Sequence, residues 1–150
     1  MADSLKDRIR RESTEALKAG EKVRLGALRM LSAAITNREK ELLHELTDDE
    51  VREVAAKEVK KRTESIEAFD GAGRTELADR ERQERDVVAP FAPARLPDAD
   101  LEALIEEAFA ATGASSPQDV GKVMGFVMGR AKGRVDGGAV QERVRARLEG

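Results

Sequence analysis

Three prolines lie within eight residues of this chain, in the segment from Pro90 to Pro97. Proline has no backbone N–H and its ring clashes with the preceding helical turn, so no helix continues through the segment. At 150 residues, the chain is long enough for one domain or for two small ones. We therefore expect two subdomains, residues 1–93 and residues 94–150, that meet within the proline segment.

The sequence on both sides of the prolines has the spacing of amphipathic helices. Charged residues make up 38% of the chain and aromatic residues only 3%, a composition typical of all-helical proteins. We find no segment of strand length in which polar and apolar residues alternate between turn signals. The prediction is an all-α fold, with an N-terminal four-helix subdomain followed by a C-terminal three-helix bundle.

Capping residues and glycines indicate the ends of the helices in the first subdomain. Ser4 is the expected cap of the first helix, and Thr47 with Glu50 has the spacing of a capping box. The predicted helices run from Ser4 to Gly20, from Glu21 to about His44, from Thr47 to Gly71 or Gly73, and from Thr75 to Val88. The predicted buried positions include Leu5, Ile9, Leu17, Leu28, Leu31, Ile35, Leu42, Val51, Val54, Ala55, Val59, Ile66 and Phe69. The middle of the fourth helix is strongly polar, so we expect it to be solvated.

The second subdomain has three predicted helices. Asp98 is the expected cap of the first, which ends at Gly113, and Asp136 is the expected cap of the last. Between them, Ser116 to Asp119 has the pattern of a capping box with proline at the first helical position. The predicted buried positions are Leu101, Leu104, Ile105, Ala108 and Phe109, then Val120, Val123, Met124, Val127 and Ala131, and finally Val140, Val144 and Leu148.

Three glycines follow one another at one-turn intervals, Gly121, Gly125 and Gly129, within the middle helix of that bundle. Each glycine in a helix interior costs about 1 kcal/mol relative to alanine, and this spacing stacks them on one side of the helix. Nearby cations add positive charge, and residues 121–150 hold seven basic against three acidic residues. This combination suits the close approach of another backbone, which is either a packed helix or a polyanion. The cations are Lys122, Arg130, Lys132 and Arg134.

A second basic stretch lies in the third helix, where Lys57, Lys60 and Lys61 alternate with Glu58 and Glu64. The neighbouring cations would keep these carboxylates ionised, whereas a general acid must be protonated near neutral pH. The stretch therefore indicates either an ordinary solvated helix surface or a phosphate-binding patch.

Catalytic and metal chemistry have few residues available. The chain has no cysteine and one histidine, so disulfides, thiolate ligands and cysteine nucleophiles are excluded. Glu41 and His44 resemble half of a di-iron bundle site, but the second half would need another histidine. The sequence has no phosphate-binding glycine loop. We expect no catalytic residues, no metal site and no cofactor.

The chain also lacks the marks of a membrane or secreted protein. No apolar run approaches the roughly 18 residues that a membrane span requires, and the N-terminus has no apolar signal core. A cytoplasmic protein without membrane contact is the expectation, and the absence of cysteine fits a reducing compartment.

Several motifs, in order along nearly the whole chain, resemble the GatB/YqeY family. The matching runs are Lys57 to Phe69, Gly73 to Ala78, Leu96-Pro97, Thr112 to Ser115, Asp119 to Gly125 and Lys132 to Gly137. The YqeY branch contains small free-standing proteins similar to the C-terminal tail of the B subunit of tRNA-dependent amidotransferase. One departure lies at Pro90 to Pro93, where the family usually has a Tyr-Leu-Pro-like segment.

The resemblance implies a two-part α-helical fold and a role tied to tRNA. Family-level descriptions speak of a carbon–nitrogen ligase with glutamine as amido donor, but nothing in these residues supplies that reaction alone. Our first hypothesis is a non-catalytic tRNA-binding module. Its partners would be tRNA and, in addition, amidotransferase subunits or an aminoacyl-tRNA synthetase complex. The expected tRNA-binding residues are Lys122, Arg130, Lys132, Arg134, Gly121 and Gly125, with Lys57, Lys60 and Lys61 as a second patch. The alternative is a protein-interaction adaptor whose glycine-strip helix receives a partner helix.

Overall fold

A computed structural model describes residues 4–150, and all regular secondary structure in that range is helical. Single turns of 3-10 helix at Ala89–Phe91 and Pro117–Asp119 accompany seven α-helices. The predicted all-α fold of four helices followed by three is confirmed. The α-helices are α1 Leu5–Ala19, α2 Lys22–Leu42, α3 Asp48–Gly71, α4 Thr75–Val88, α5 Asp98–Thr112, α6 Val120–Ala131 and α7 Gly137–Glu149.

The chain divides into two compact units, one ending at Pro93 and the other beginning at Ala94. The first unit contains α1 to α4 and the second contains α5 to α7. No helix in residues 4–150 is both long enough and apolar enough to cross a membrane.

Most of the predicted caps are confirmed. The hydroxyl of Ser4 accepts a hydrogen bond from the Asp7 backbone N–H at 3.1 Å, and the Thr47 hydroxyl accepts one from Glu50 at 3.3 Å. Asp136 caps α7 by accepting from Gly138 at 3.1 Å. These bonds satisfy backbone donors that the first helical turn leaves unpaired.

The predicted cap at Asp98 is wrong. Pro97 occupies the N-cap position, with extended backbone angles of φ −59° and ψ 149°, and Asp98 is already the first helical residue. An N-cap residue has non-helical backbone angles, and the extended backbone at Pro97 meets that requirement. The Asp98 carboxylate instead lies 3.5 Å from the guanidinium of Arg143 on α7.

The core of the first unit is built from the apolar faces of α1, α2 and α3 together with the end of α4. Leu17 was predicted to be buried, but its side chain is 58% exposed, whereas Ala16 is fully buried. Ala16 lies seven residues after the buried Ile9, which is two helical turns, so these two residues share a face and Leu17 does not. The buried residues of this core are Ile9, Ala16, Ala27, Leu28, Leu31, Ile35, Leu46, Val51, Val54, Ala55, Val88 and Phe91.

The prediction that the middle of α4 is solvated is wrong at Glu84. The Glu84 side chain is only 13% exposed and lies 3.7 Å from the Nε atom of Arg62, which is itself buried on α3. One turn earlier on α3, Glu58 is buried with it. The α3–α4 interface therefore contains a charged cluster as well as apolar side chains.

The core of the second unit follows the three predicted apolar stripes. Its buried residues are Leu101, Ile105, Ala108, Val123, Val127, Val140, Val144 and Leu148. The segment before α5 is fixed to the loop after α6 by two hydrogen bonds. Leu96 donates its backbone N–H to the carbonyl oxygen of Arg134 at 2.8 Å, and the Arg134 side chain donates to the carbonyl of Ala94 at 2.9 Å.

Candidate nucleic-acid interface

The three glycines of α6 lie on its solvent-exposed face, opposite the buried Val123 and Val127. Apart from the adjacent backbone of α6, a Cβ atom placed on Gly121, Gly125 or Gly129 would meet no atom of the described chain within 4 Å. Close helix packing was one interpretation of these glycines, and within the described second unit it is wrong. The glycines leave a strip of helix backbone accessible, and no contact within the unit offsets their cost of about 1 kcal/mol each.

Lys122 lies beside the glycine strip, with a side chain that is 68% exposed and 3.6 Å from the Asp119 carboxylate. Hydrogen bonds from the backbone N–H groups of Ser115 and Ser116, at 3.0 and 3.2 Å, lower the pKa of Asp119. The carboxylate is therefore ionised at neutral pH and is already bound by the turn before α6. Lys122 keeps most of its surface in solvent next to this anchored carboxylate.

The other three predicted cations of this region do not form one continuous edge. Arg130 lies 2.5 Å from Glu107 on α5 and stacks 4.0 Å from the centre of the Phe126 ring. Arg134 is held by the carbonyl of Ala94, so it stabilises the segment before α5. Lys132 is exposed just after the end of α6.

The positive charge of residues 121–150 is largely compensated by α5. Arg143 lies 2.7 Å from Glu102, and Arg147 lies 2.6 Å from Glu106 one turn further along both helices. Residues 94–150 together hold eight basic and nine acidic residues. The basic end noted in the sequence is therefore not a basic subdomain, because acidic α5 supplies the opposite charge.

The lysine patch of α3 is exposed, as predicted for a surface that could bind phosphate or simply face solvent. Lys57, Lys60 and Lys61 all lie on the outward side of the helix, and Glu64 lies among them. The ammonium of Lys61 is 3.9 Å from the Glu58 carboxylate. The patch brings three cations within about 6 Å along the helix axis, but a carboxylate shares the same face.

A row of three cations on α2 was not predicted. Lys22, Arg29 and Lys40 are exposed on the side of α2 opposite its buried residues. Within the described part of the chain, none of the three makes an ion pair or a side-chain hydrogen bond. We call these three residues the α2 row.

Glu41 and His44, which resemble half of a metal site in the sequence, have separate partners. Glu41 lies 2.8 Å from Arg38, and the Nδ1 atom of His44 lies 2.9 Å from the Glu45 carbonyl oxygen, to which it donates. The Nε2 atom of His44 is 3.5 Å from Glu50. Among residues 4–150, no group of three carboxylate or imidazole side chains is arranged to hold a metal ion.

The helices and their exposed cations define a small all-α protein with basic helix faces. The sequence model of the family described as Yqey-like protein matches residues 6–148, which is nearly the whole chain. The chain therefore belongs to that family. The resemblance in the sequence is thereby confirmed. A relative in Pyrenophora tritici-repentis (strain Pt-1C-BFP) is 27% identical over 141 residues, which cover 91% of this chain and 77% of that protein. It is called altered inheritance of mitochondria protein 41, mitochondrial.

Proposed function

We propose that this protein is a non-catalytic tRNA-binding module related to the tail of tRNA-dependent amidotransferase. One observation carries the proposal: α6 exposes its backbone along Gly121, Gly125 and Gly129, with Lys122 beside the strip. Three glycines cost a helix about 3 kcal/mol relative to alanine. No packing within the unit explains the presence of these three glycines. A partner backbone that approaches the helix closely would explain it.

The chemistry of the strip suits the backbone of folded RNA. Double-helical RNA is recognised mostly through its shape, its phosphates and its 2′-hydroxyl groups, which requires no aromatic side chains. The chain has no tryptophan or tyrosine, and Phe91 is buried. Lys122 and Lys132 would contact phosphates as flexible point charges, and Arg130 would do so from a position fixed by Phe126.

The lysines of α3 are the second part of the proposed interface. Lys57, Lys60 and Lys61 would add phosphate contacts on the first unit. Arg134 has a different place in the proposal, because its side chain is bonded to Ala94 and its loss would also loosen the segment before α5. We therefore treat Arg134 as a residue that supports the interface.

The proposal includes no reaction of the protein on its own. The relation to glutamine-dependent carbon–nitrogen ligation comes from the resemblance of the sequence to the GatB/YqeY family, and amidotransferase subunits or an aminoacyl-tRNA synthetase complex would supply the catalytic parts. A cytoplasmic setting belongs to the same proposal. The mitochondrial name of the relative describes that protein.

The test is tRNA binding by the full chain, measured by fluorescence anisotropy over a series of salt concentrations. We expect measurable affinity that falls as salt rises, because phosphate contacts release counterions. The double variant Lys122→Gln/Lys132→Gln should reduce the slope of log K against log salt by about 1.5, since each lost contact contributes about 0.7 to 0.9.

The matched control is Arg10→Gln/Arg52→Gln, which removes the same charge at residues paired with Asp7 and Asp49. This control should retain most of the wild-type affinity and slope. Absence of tRNA binding by the wild-type chain would contradict the function. Unchanged binding in the Lys122→Gln/Lys132→Gln variant would contradict the α6 site.

The same glycine strip also favours the adaptor hypothesis, because an exposed strip without Cβ atoms can receive a helix of a partner protein. Gly125→Leu tests the strip itself. The added side chain has open space within the described chain, so the fold should tolerate it. It would block a partner helix and would also hinder the close approach of an RNA backbone, so RNase treatment and the Lys122→Gln/Lys132→Gln variant are what separate the two functions. A protein partner that survives RNase treatment and is lost on Gly125→Leu would favour the adaptor.

A further inference from the structure

The α2 row is a basic surface whose three cations make no ion pair within the described part of the chain, and we propose that it binds the sugar-phosphate backbone of RNA. This inference rests on the proposed function and adds a contact surface on the first unit. Lys22, Arg29 and Lys40, which form the row, lie outside both basic patches that the sequence predicts.

The spacing of the row places its cations in one line. Lys22 and Arg29 are seven residues apart, and Arg29 and Lys40 are eleven residues apart. These intervals are close to two and three helical turns, and the whole row covers about 27 Å along the axis. The buried residues Ala27, Leu28, Leu31 and Ile35 occupy the other side of α2. The three side chains therefore extend from the same outward face.

The carboxylates of α2 are engaged elsewhere, and Glu45, which lines the same cavity as Lys40, lies 3.0 Å from the ammonium of Lys6. Glu39 binds the ammonium of Lys6 at 2.7 Å and the backbone N–H of Leu46 at 2.9 Å. Glu41, the other acidic residue of α2, lies 2.8 Å from Arg38. The positive charge of the outward face is consequently left uncompensated by its own helix.

Glu21, at the N-cap position of α2, lies 3.5 Å from Arg24. The pairing around α2 contrasts with that around α6, where Lys122 faces Asp119 and Arg130 faces Glu107. A polyanion would therefore displace no intramolecular ion pair at the α2 row, whereas at α6 it would compete with carboxylates.

Small and polar residues separate the cations of the row. Gly26 and Ala33 lie on the same outward face, and a Cβ atom on Gly26 would meet nothing within 4 Å. These short side chains let a partner backbone approach the helix between the cations. Thr36 and Asn37 are also exposed there and can donate hydrogen bonds to phosphate oxygens.

The pattern fits a nucleic-acid backbone better than a protein surface. A nucleic-acid strand carries a negative charge at every residue, so a line of cations without intervening carboxylates finds a partner for each. Protein surfaces mix both signs of charge, and a row of one sign over about 27 Å would meet cations as well as carboxylates there. The absence of exposed aromatic residues from α2 indicates backbone contact without base stacking.

The test uses the full chain and a mixed tRNA preparation, with the variant Lys22→Gln/Arg29→Gln/Lys40→Gln. The affinity at 0.1 M salt should fall roughly 100-fold, and the slope of log K against log salt should decrease by about 2 to 3. The matched control is Arg10→Gln/Arg52→Gln/Arg80→Gln, because each of these arginines is ion-paired on the same unit. It should change the affinity and the slope little.

Four results would overturn the inference. Equal losses in the two triple variants would mean that only net charge matters. Wild-type affinity in the α2 variant, with binding lost in Lys122→Gln/Lys132→Gln, would leave the proposed function intact and remove the α2 row from it. Failure of the wild-type chain to bind tRNA would remove both the proposed function and the inference.

The fourth result comes from a second measurement, acetylation of lysine amines read by mass spectrometry. Bound tRNA should protect Lys22 and Lys40, whereas polyglutamate at the same concentration of negative charge should not. Equal protection by polyglutamate would show that the row accepts an acidic polypeptide, and the RNA assignment would be wrong.

Discussion

The guanidinium of Arg62 donates a hydrogen bond to the carboxylate of Glu58 at 3.2 Å, and both side chains are buried one turn apart on α3. Arg62 also donates to the Glu58 carbonyl oxygen at 3.1 Å, and its Nε atom lies 3.7 Å from Glu84 on α4. That Nε makes no hydrogen bond within the described part of the chain. One cation thus compensates two carboxylates at the interface of α3 and α4.

Loss of Arg62 should be strongly destabilising. Arg62→Ala leaves Glu58 and Glu84 largely buried without their shared cation, and breaking a buried ion pair from one side typically costs about 3 to 5 kcal/mol. Urea unfolding followed by circular dichroism measures the change. Arg52→Ala is the control, because Arg52 pairs with Asp49 at the surface, and it should change the free energy of unfolding far less. An Arg62→Ala protein as stable as the control would contradict the structural role of the cluster.

Alanine in place of the exposed glycines should stabilise the protein. Each of Gly121→Ala, Gly125→Ala and Gly129→Ala is expected to add up to about 1 kcal/mol to the free energy of unfolding, since the new methyl group has open space among the described residues. Thermal unfolding measures the effect. Gly113→Ala is the control, because Gly113 has φ +66° and an alanine there is strained, so it should lower the stability. Destabilisation by all three α6 substitutions would show that the strip has packing that the structure lacks.

The local part of the fold could be predicted from the sequence because helix caps are short-range interactions. Ser4, Thr47 and Asp136 each bond to a backbone N–H two or three residues away, so nothing distant decides their role. Asp98 shows the limit of that reasoning. Aspartate is a common capping residue, but Pro97 has non-helical backbone angles and occupies the N-cap position. Asp98, one residue later, is already helical.

The charge distribution of the candidate site could not be predicted, because it depends on which helices face each other. Glu102 and Glu106 have the same one-turn spacing as Arg143 and Arg147, which is a signal present in the sequence. Nothing in the linear order says that α5 and α7 are neighbours. The α2 row was missed for a similar reason, since only the fold shows that Glu39 is paired with Lys6 on α1 and not with a cation of the row.

Acid should weaken the contact of α1 with the end of α2. The side-chain hydrogen bond from Lys6, followed by the backbone N–H of Leu46, lowers the pKa of Glu39 below its usual value. A carboxyl group whose pKa is lower in the folded state stabilises the fold above its unfolded pKa, near 4.3, and this contribution disappears as the pH falls through the folded pKa. Glu39→Gln should therefore lower the urea midpoint at pH 7 and flatten its decline below about pH 4.3.

Glu45→Gln is the control for that measurement. Glu45 binds the same ammonium of Lys6 at 3.0 Å, but its side chain is 81% exposed, so water competes with the contact. The control should keep both the wild-type midpoint at pH 7 and its decline in acid. Identical pH profiles for Glu39→Gln and the wild-type chain would contradict the assignment of acid sensitivity to Glu39.

The carboxylates of α5 should limit how strongly the second unit binds RNA. Glu102, Glu106 and Glu107 lie within ion-pair distance of Arg143, Arg147 and Arg130, respectively. Replacing all three glutamates with glutamine would free three arginines for phosphates, so affinity for tRNA should rise. The slope of log K against log salt should become steeper by about 2 to 3.

A control with the same change of net charge separates this local effect from a general one. Asp100, Glu142 and Glu149 are exposed in the same unit and form no ion pair within the described residues, so their neutralisation frees no arginine. Asp100→Asn/Glu142→Gln/Glu149→Gln should therefore raise the affinity for tRNA much less than the variant of α5. If the affinity for tRNA rises equally in both triple variants, the ion pairs between α5 and the arginines of α6 and α7 do not limit RNA binding. A gain confined to the α5 variant would mean that these ion pairs set the affinity of the second unit.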